Sequence, residues 1–258
     1  MIRVARPAQP PNRLIKFGVR ALARICASFD ADSRAYTAGT KMLEFKSSIY
    51  GHSSVKSSLQ RAQNDKCCYC EGIFHGHAAG DVEHFRPKAY FQQDAASPKS
   101  YPGYYWLVYD WSNLLFSCQI CNRSHKRNLF PIIDPTARAY SRNQNISLEA
   151  PLIIDPGGQD DPYQHIQFHE EMPRGITDRG RATISVLKLD RISLNETRRE
   201  RLDKVRALQK AVALLSGDTR PEAINTLADA RAALQQAALP SAEFSAMMRD
   251  YLTPRAMP

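Results

Sequence analysis

Apolar residues recur at helical spacing near both ends of the chain, while the middle lacks such a repeat. Helical stretches are predicted over residues 13–29 and about 40–64, with Gly51 as a candidate break in the second. From about residue 181 onward the pattern is again helical, and Ser241 is a candidate cap for a last short helix. One long apolar stripe there is formed by residues that step by three or four, namely Leu202, Val205, Leu208, Val212 and Leu215.

The middle of the chain reads as short strands, loops and one short helix, which predicts an α+β fold. Residues 136–180 are turn-rich and irregular, with segments such as "DPGGQDDPYQH". We therefore divide the chain into an N-terminal arm with helices at 1–64, a core at 65–135 that holds the unusual chemistry, and a mostly helical region at 136–258.

Charge favours a polyanionic partner for this chain. Its 258 residues carry a formal net charge of +9, with a pI of about 9.3, and lysine and arginine release the counterions that condense on phosphates. A protein that is simply basic is the alternative. No apolar run approaches the roughly 20 residues of a membrane span, so we expect no membrane partner and a cytoplasmic location. The Arg-rich start also permits an organelle transit peptide, but a helix with a basic face is favoured.

Six cysteines are present, and four of them form two matched pairs 48 residues apart. Cys67-x-x-Cys70 and Cys118-x-x-Cys121 have the spacing that lets two thiolates reach one tetrahedral ion, which predicts a structural Zn²⁺ site. Cys68 is expected to be a bystander. Such a site would contribute on the order of 10 kcal/mol to folding. Buried apolar cysteines and a redox dithiol are the alternatives; both are disfavoured, because the two pairs match and no thioredoxin-like setting surrounds them.

Two further motifs lie beside the cysteines. "DVEHFRPK" at 81–88 lies between the pairs, and "DWSNLLFSCQICN" at 110–122 ends just after the second pair. Residues from about 65 to 132 resemble an HNH endonuclease. The finer pattern is similar to nucleases that act with an ABC-type ATPase in bacterial antiphage systems of the Septu kind, some of them retron-associated. The resemblance implies a ββα-metal (His-Me finger) core stapled by a four-cysteine zinc, flanked by helices, that cleaves nucleic acid, with DNA favoured over RNA.

The residues themselves are suited to phosphodiester hydrolysis. A neutral His84 could take a proton from water, with a hydrogen bond from its other ring nitrogen fixing the tautomer. Glu83 lies next to it and should point to the opposite face of a strand, where it and Asn122 would hold Mg²⁺ or Mn²⁺. The resemblance assigns Asn113 the family's middle-asparagine role of holding the backbone beside His84; a plain turn residue is the alternative.

The sequence departs from the commonest HNH pattern at two positions. The carboxylate before the histidine is Glu83 rather than Asp, and the last position is Asn122 rather than His. A third ligand would come from His125 or Lys126, the latter being also a candidate phosphate contact. Asp81 is an alternative to Glu83 as the metal carboxylate.

Arg86, Lys88 and Lys126 are the predicted phosphate-binding residues. Arg86 and Lys88 closely follow His84 in sequence, and Lys126, together with Arg123, adds charge from the helix after the second cysteine pair. His75 and His77 could bind metal, although an exposed turn is favoured. The run of aromatic residues from Tyr101 to Trp111 could stack bases but is more often core.

A zinc-stapled binding or adaptor module without catalysis is the alternative to a nuclease. It would share the cysteines and the basic charge but would not need Glu83, His84 and Asn122 together. The C-terminal helices could either complete the core or dock on a partner.

Overall fold

The computed structural model describes residues 1–74 and 80–254, and it confirms the α+β fold class with helices around two small antiparallel sheets. The strands are β1 (Asp81–His84), β2 (Leu114–Ser117), β3 (Ile166–His169) and β4 (Met172–Gly175). The α-helices are α1 (Val19–Ala31), α2 (Ser33–Thr37), α3 (Ser47–Tyr50), α4 (Ser53–Ala62), α5 (Asp178–Leu187), α6 (Ile192–Leu215), α7 (Pro221–Ala237) and α8 (Ser245–Leu252). His75 and His77 lie outside the described residues.

Strands β1 and β2 form the sheet at the centre of the molecule. They pair antiparallel, with Glu83 opposite Leu115 and His84 opposite Leu114. All four residues of β2 are buried, as expected for a strand covered on both faces. A short helix, Ile120–Lys126, follows and is called the site helix below. It is wound in wide π-type turns.

The side chain of Gln63 covers the outer edge of β2. Its Nε2 donates to the carbonyl of Phe116 at 2.7 Å and to that of Lys66 at 2.9 Å, and its Oε1 accepts from the Phe116 N–H at 2.8 Å. The N–H of Cys68 donates to the same Phe116 carbonyl at 3.0 Å. The end of α4 and the first cysteine pair are thereby tied to the central sheet.

The N-terminal helices pack on one side of this sheet. A π-type turn, Leu14–Gly18, runs into α1. Glycine is favoured at position 18 because a Cβ there would lie only 3.0 Å from the Cβ of Tyr109. The helix predicted over 40–64 is broken: residues 41–46 are not helical, and α3 and α4 are separated at Gly51 and His52. The ring of His52 accepts a bond from the Ser54 N–H and so caps α4.

The C-terminal helices pack on the other side. The β3–β4 hairpin lies within the segment expected to be irregular. The prediction that Ser241 caps the last helix is wrong: α8 begins at Ser245 after a left-handed Phe244 with φ of 53°. The buried Lys66 Nζ donates to the Ala242 carbonyl at 2.9 Å and to Ser245 Oγ at 3.0 Å, which fixes this turn against the cysteine region.

Two hydrophobic cores result, and each crosses at least one of the predicted boundaries at 64 and 135. One joins α1–α4 to residues 105–116. The other joins the cysteines to α5–α8. The three-part division therefore stays a prediction from sequence. Within residues 1–74 and 80–254, the helices are all too short or too polar to traverse a lipid bilayer.

Candidate metal-dependent hydrolytic site

The four predicted cysteines converge on one point. Cys67, Cys70, Cys118 and Cys121 are buried, and their sulfurs all lie within 4.8 Å of one another. The sulfurs of Cys70 and Cys118 are 4.0 Å apart. Tetrahedral Zn²⁺ with bonds of about 2.3 Å holds its sulfurs roughly 3.8 Å apart. The cluster therefore fits one metal ion with a closed sulfur shell, as expected for structural zinc.

Hydrogen bonds from backbone N–H groups hold the turn of each cysteine pair. Glu71 has a φ of 64°, and its N–H donates to the Cys67 carbonyl at 3.0 Å. In the second pair the Cys121 N–H points at the sulfur of Cys118 at 3.4 Å. Cys68 is buried but does not belong to the four-sulfur cluster, which agrees with its predicted bystander position.

The protonation state of the four cysteines is coupled to the binding of a metal ion. Burial raises the pKa of Cys67 well above its usual value. Hydrogen bonds from Cys118 and Cys121 hold the pKa of Cys70 well below its usual value. Thiolates are the form that binds Zn²⁺, so metal binding must release protons from the cluster and weakens as pH falls.

His84 and Glu83 leave β1 on opposite faces, as adjacent strand residues must. The ring of His84 points toward the turn that contains Val108, and its Nε2 lies 2.9 Å from the Val108 carbonyl. A carbonyl can only accept, so Nε2 carries the proton and Nδ1 keeps its lone pair. Nδ1 lies 3.5 Å from Lys88 Nζ. The edge of the ring meets the face of Tyr50, with centroids 4.7 Å apart.

His84 is held in its neutral form. The pKa of His84 is lowered well below 6.5, first by burial and then by the positive charges of Lys88 and Lys126. The bond to Val108 acts in the opposite direction. Burial likewise lowers the pKa of Lys88. A neutral imidazole with a fixed tautomer and an acceptor nitrogen is the form that general-base chemistry requires.

Glu83 is buried on the other face and already has a cationic partner. Its Oε1 lies 2.6 Å from Lys126 Nζ and accepts a bond from the Tyr69 hydroxyl at 3.3 Å. Lys126 has no exposed side-chain surface and also donates to the His84 carbonyl at 3.0 Å. Lys126 therefore does not occupy the position predicted for a phosphate contact. Its buried side chain instead connects the site helix to β1.

The side chain of Asn113 bonds to backbone groups of Arg86 and Leu107. Its Oδ1 accepts from the Arg86 N–H at 2.8 Å, and its Nδ2 donates to the carbonyls of Arg86 and Leu107 at 3.1 and 3.2 Å. The buried amide thus connects the backbone just after His84 to the turn that carries the Val108 carbonyl. This geometry is more than a turn residue needs.

An open, polar cleft of ≈ 580 Å³ lies over these groups. Its lining includes Glu83, His84, Lys88 and Asn122 from the prediction. It also includes residues that the sequence did not single out for this place, namely Tyr90, Gln92, Lys99, Arg127 and Asn128. The predicted base, carboxylate and amide therefore share one solvent-facing space.

Arg86 is placed differently from its predicted phosphate position. Its guanidinium forms an ion pair with the buried carboxylate of Glu149 and lies over the rings of Tyr104 and Phe130. Only 12% of its side chain is exposed, and it does not line the cleft. Arg86 therefore anchors the segment around residue 149 to the core.

The remaining predicted metal ligands are Asn122, Asp81 and His125. The Nδ2 of Asn122 donates to Asp81 Oδ2 at 3.2 Å, and Arg123 makes two bonds to the same carboxylate, at 2.7 and 2.6 Å. His125 is half-buried; burial, Arg191 and Lys188 lower its pKa. It does not line the cleft, so the structure does not bring it to Glu83 and Asn122 as the third ligand.

Two contacts of His84 could not be foreseen from the residue pattern. The acceptor for its ring is a backbone carbonyl, which is invisible in any residue pattern. Tyr50 comes from the N-terminal helices, 34 positions away, and only the packing of α3 against the sheet brings it close. Tyr69 could have been suspected, because it lies between two predicted zinc ligands and must point away from the metal.

Comparison with known proteins agrees with the motif. No protein-family model matches the chain. A protein from Bacillus mycoides (strain KBAB4) named Septu protein PtuB is 40% identical over 166 residues, which are 63% of this chain and 55% of that protein. Another Septu protein PtuB, from Bacillus thuringiensis, is 29% identical over 156 residues, 59% of this chain and 47% of the relative. The chain thus spans about half the length of the curated relatives it matches. Over that part the chain is similar to proteins named Septu protein PtuB, which confirms the resemblance that the motif predicts.

Proposed function

We propose that this protein is a metal-dependent endonuclease of the HNH type that hydrolyses phosphodiester bonds in nucleic acid. The observation that carries the proposal is a neutral, tautomer-fixed His84 in the same cleft as Glu83 and Asn122. A module that only binds nucleic acid has no need for a buried histidine with its acceptor nitrogen held ready.

In the proposed reaction, Nδ1 of His84 takes a proton from a water molecule in the cleft. The resulting hydroxide oxygen forms a bond to the phosphorus, and the bond from phosphorus to the leaving oxygen breaks. The leaving oxygen then takes up a proton from solvent, and His84 returns its proton to solvent. Lys88, 3.5 Å from Nδ1, would contact the phosphate.

Two oxygen donors would hold the divalent ion. Lys126 and Tyr69 both bond to Oε1 of Glu83, so we propose Oε2 as the ligand atom. Asn122 uses its Nδ2 on Asp81, so its Oδ1 would be the second. Carboxylate and amide oxygens suit Mg²⁺ or Mn²⁺. When bound, such an ion stabilises negative charge on the phosphate and on the leaving oxygen.

The biological setting follows from the relatives. Because the matched proteins are named Septu protein PtuB, we propose that this chain serves in a bacterial antiphage system of that kind, in the cytoplasm. The resemblance of its motif implies an ABC-type ATPase as the partner protein. The part of the relatives that this chain does not match could determine which partner they bind. Dependence on the ATPase is therefore tested in a separate arm of the experiment.

The direct test is cleavage by purified protein. Plasmid DNA and a structured RNA are incubated with wild type, His84→Ala and His169→Ala in Mg²⁺ or Mn²⁺. His169 is exposed at the end of β3 and serves as the matched control. We expect wild type and His169→Ala to cleave and His84→Ala to lose at least about 100-fold in rate.

A second arm adds the proposed ABC-type ATPase partner, because a nuclease of this kind can depend on its complex. Cleavage by His84→Ala at the wild-type rate would exclude His84 as the base. Absence of cleavage by wild type both alone and with the ATPase would favour the binding-module alternative.

A further inference from the structure

The net positive charge of the chain is concentrated in its N-terminal quarter. Residues 1–64 contain eleven lysines and arginines against three acidic residues, a net charge of +8 out of the total of +9. Residues 65–135, which carry the cleft, contain seven of each and are neutral overall. The N-terminal helices therefore carry most of the net charge that would attract a polyanion, in addition to the cations that line the cleft, namely Lys88, Lys99, Arg123 and Arg127.

A groove on these helices gathers several of the charges. It has a volume of ≈ 330 Å³ and lies between α1 and residues 41–46. Arg24, Lys41 and Lys46 line it, and all three are exposed. We call it the basic groove. Lys16 and Arg20 are exposed at four-residue steps before Arg24, so the cations continue along one helix face.

The acidic residues near the basic groove are largely compensated. Asp32 lies 3.6 Å from Lys41 in an exposed pair, and Asp30 is bonded to Arg142 at 2.8 Å. Glu44 is the acidic residue of the groove lining. Exposed pairs of this kind are weak, about 0–1 kcal/mol, so Lys41 can exchange Asp32 for a phosphate at little cost.

The basic groove adjoins the catalytic histidine through two tyrosines. The Tyr109 hydroxyl, at the groove, accepts a bond from the Lys46 N–H at 2.9 Å. The ring of Tyr109 lies 6.3 Å from that of Tyr50, and Tyr50 in turn contacts His84 at 4.7 Å. Lys88 Nζ lies 5.0 Å from the centre of the Tyr50 ring, on the cleft side. Groove and cleft are therefore separated by two aromatic rings.

We propose that the basic groove, through Arg24, Lys41 and Lys46, binds the phosphodiester backbone of the nucleic-acid strand whose scissile phosphate lies at His84. The inference rests on the proposed function for the identity of the cleft. Arg20 and Arg24 lie about 6 Å apart along α1, which spans roughly two phosphates of one strand. An acidic surface of a partner protein is the competing occupant, and the short distance to the cleft, two aromatic rings away, favours the nucleic acid.

The test measures binding without cleavage. In a His84→Ala background, the affinity for a labelled DNA duplex, single-stranded DNA and RNA is measured by fluorescence anisotropy at several salt concentrations. The triple variant Arg24→Gln, Lys41→Gln, Lys46→Gln is compared with a control triple, Arg231→Gln, Lys204→Gln, Lys210→Gln. The control cations are exposed on α6 and α7. Circular dichroism melting establishes that both triples are folded.

We expect the groove triple to bind about tenfold or more weakly at low salt, with a salt-dependence slope smaller by about 2–3, since each phosphate contact contributes about 0.7–0.9. The control triple should bind like its parent. Equal binding by the two triples overturns the inference, and so does a groove triple that keeps nucleic-acid affinity but loses the ATPase partner. Failure of the proposed nuclease activity is distinguished by the separate cleavage test: wild type would then bind nucleic acid in the anisotropy assay but not cleave it.

Discussion

Lys126→Met should be among the most destabilising single substitutions in this protein. Lys126 is fully buried, and its Nζ lies 2.6 Å from Glu83 Oε1 and 3.0 Å from the His84 carbonyl. At an effective dielectric constant of about 20, two unit charges at this distance attract by about 6 kcal/mol before desolvation is subtracted. Removing one partner of such a pair leaves a buried uncompensated charge and typically costs about 3–5 kcal/mol.

The measurement is the free energy of unfolding in urea at pH 7 with zinc held in excess, because metal loss would otherwise contribute to the transition. Glu83→Gln and the double variant Lys126→Met/Glu83→Gln complete a double-mutant cycle. We expect the double variant to lose at least about 2 kcal/mol less than the sum of the singles. If Lys126→Met does not fold, the double variant still reports on the pair, because it carries neither charge.

The control is Arg181→Met, which removes an exposed pair with Asp178 and should cost less than about 1 kcal/mol. A loss of under about 1 kcal/mol for Lys126→Met, or strictly additive singles, would show that Glu83 and Lys126 do not form a buried pair in solution. Glu83 would then be available to a metal through both oxygens.

Three further predictions concern the metal, the base and the frame. Cys118→Ser should lose the zinc and the cooperative unfolding transition, whereas Cys68→Ser should keep one zinc per chain, as measured by colorimetric zinc release. The cleavage rate should fall with falling pH only below about 6.5, because the pKa of His84 is lowered from that value and the neutral ring is the active form. Lys88→Met removes one of the charges that lower this pKa, so the acid limb of the pH–rate profile should move to higher pH; an unchanged limb would exclude that coupling. Asn113→Ala leaves three backbone groups without their bonds and should cost about 2–3 kcal/mol in urea unfolding, with kcat reduced more than KM is raised.

The four-cysteine cluster was predictable because residue type and spacing alone identify its ligands. Two CxxC pairs constrain four sulfurs to one point whatever the rest of the fold does, and the structure gathers them within 4.8 Å. Helices at both ends followed from apolar periodicity. The breaks in those helices could not be predicted in this way. The non-helical segment at 41–46, for example, is held by a hydrogen bond from the Lys46 N–H to the hydroxyl of the distant Tyr109.

Charged residues near the site were the least predictable part. Arg86 and Lys126 were expected at the phosphate because they are close to His84 in sequence and along the site helix. Each instead faces a buried carboxylate, Glu149 for Arg86 and Glu83 for Lys126. Sequence distance says which residues are near the site, but the position of a carboxylate 63 residues away decides where a guanidinium points.

The amide of Gln63 has a consequence for how this protein can associate. Sheet edges commonly recruit another strand, either from a partner or from a second copy. Here the N–H and carbonyl of Phe116 are both occupied by one side chain, and the carbonyl also accepts from Cys68. An incoming strand would have to expel a buried amide that makes three bonds. Main-chain pairing through Phe116 at this edge of β2 is thus blocked for a partner and for a second copy alike, and association at this edge must use side-chain surfaces instead.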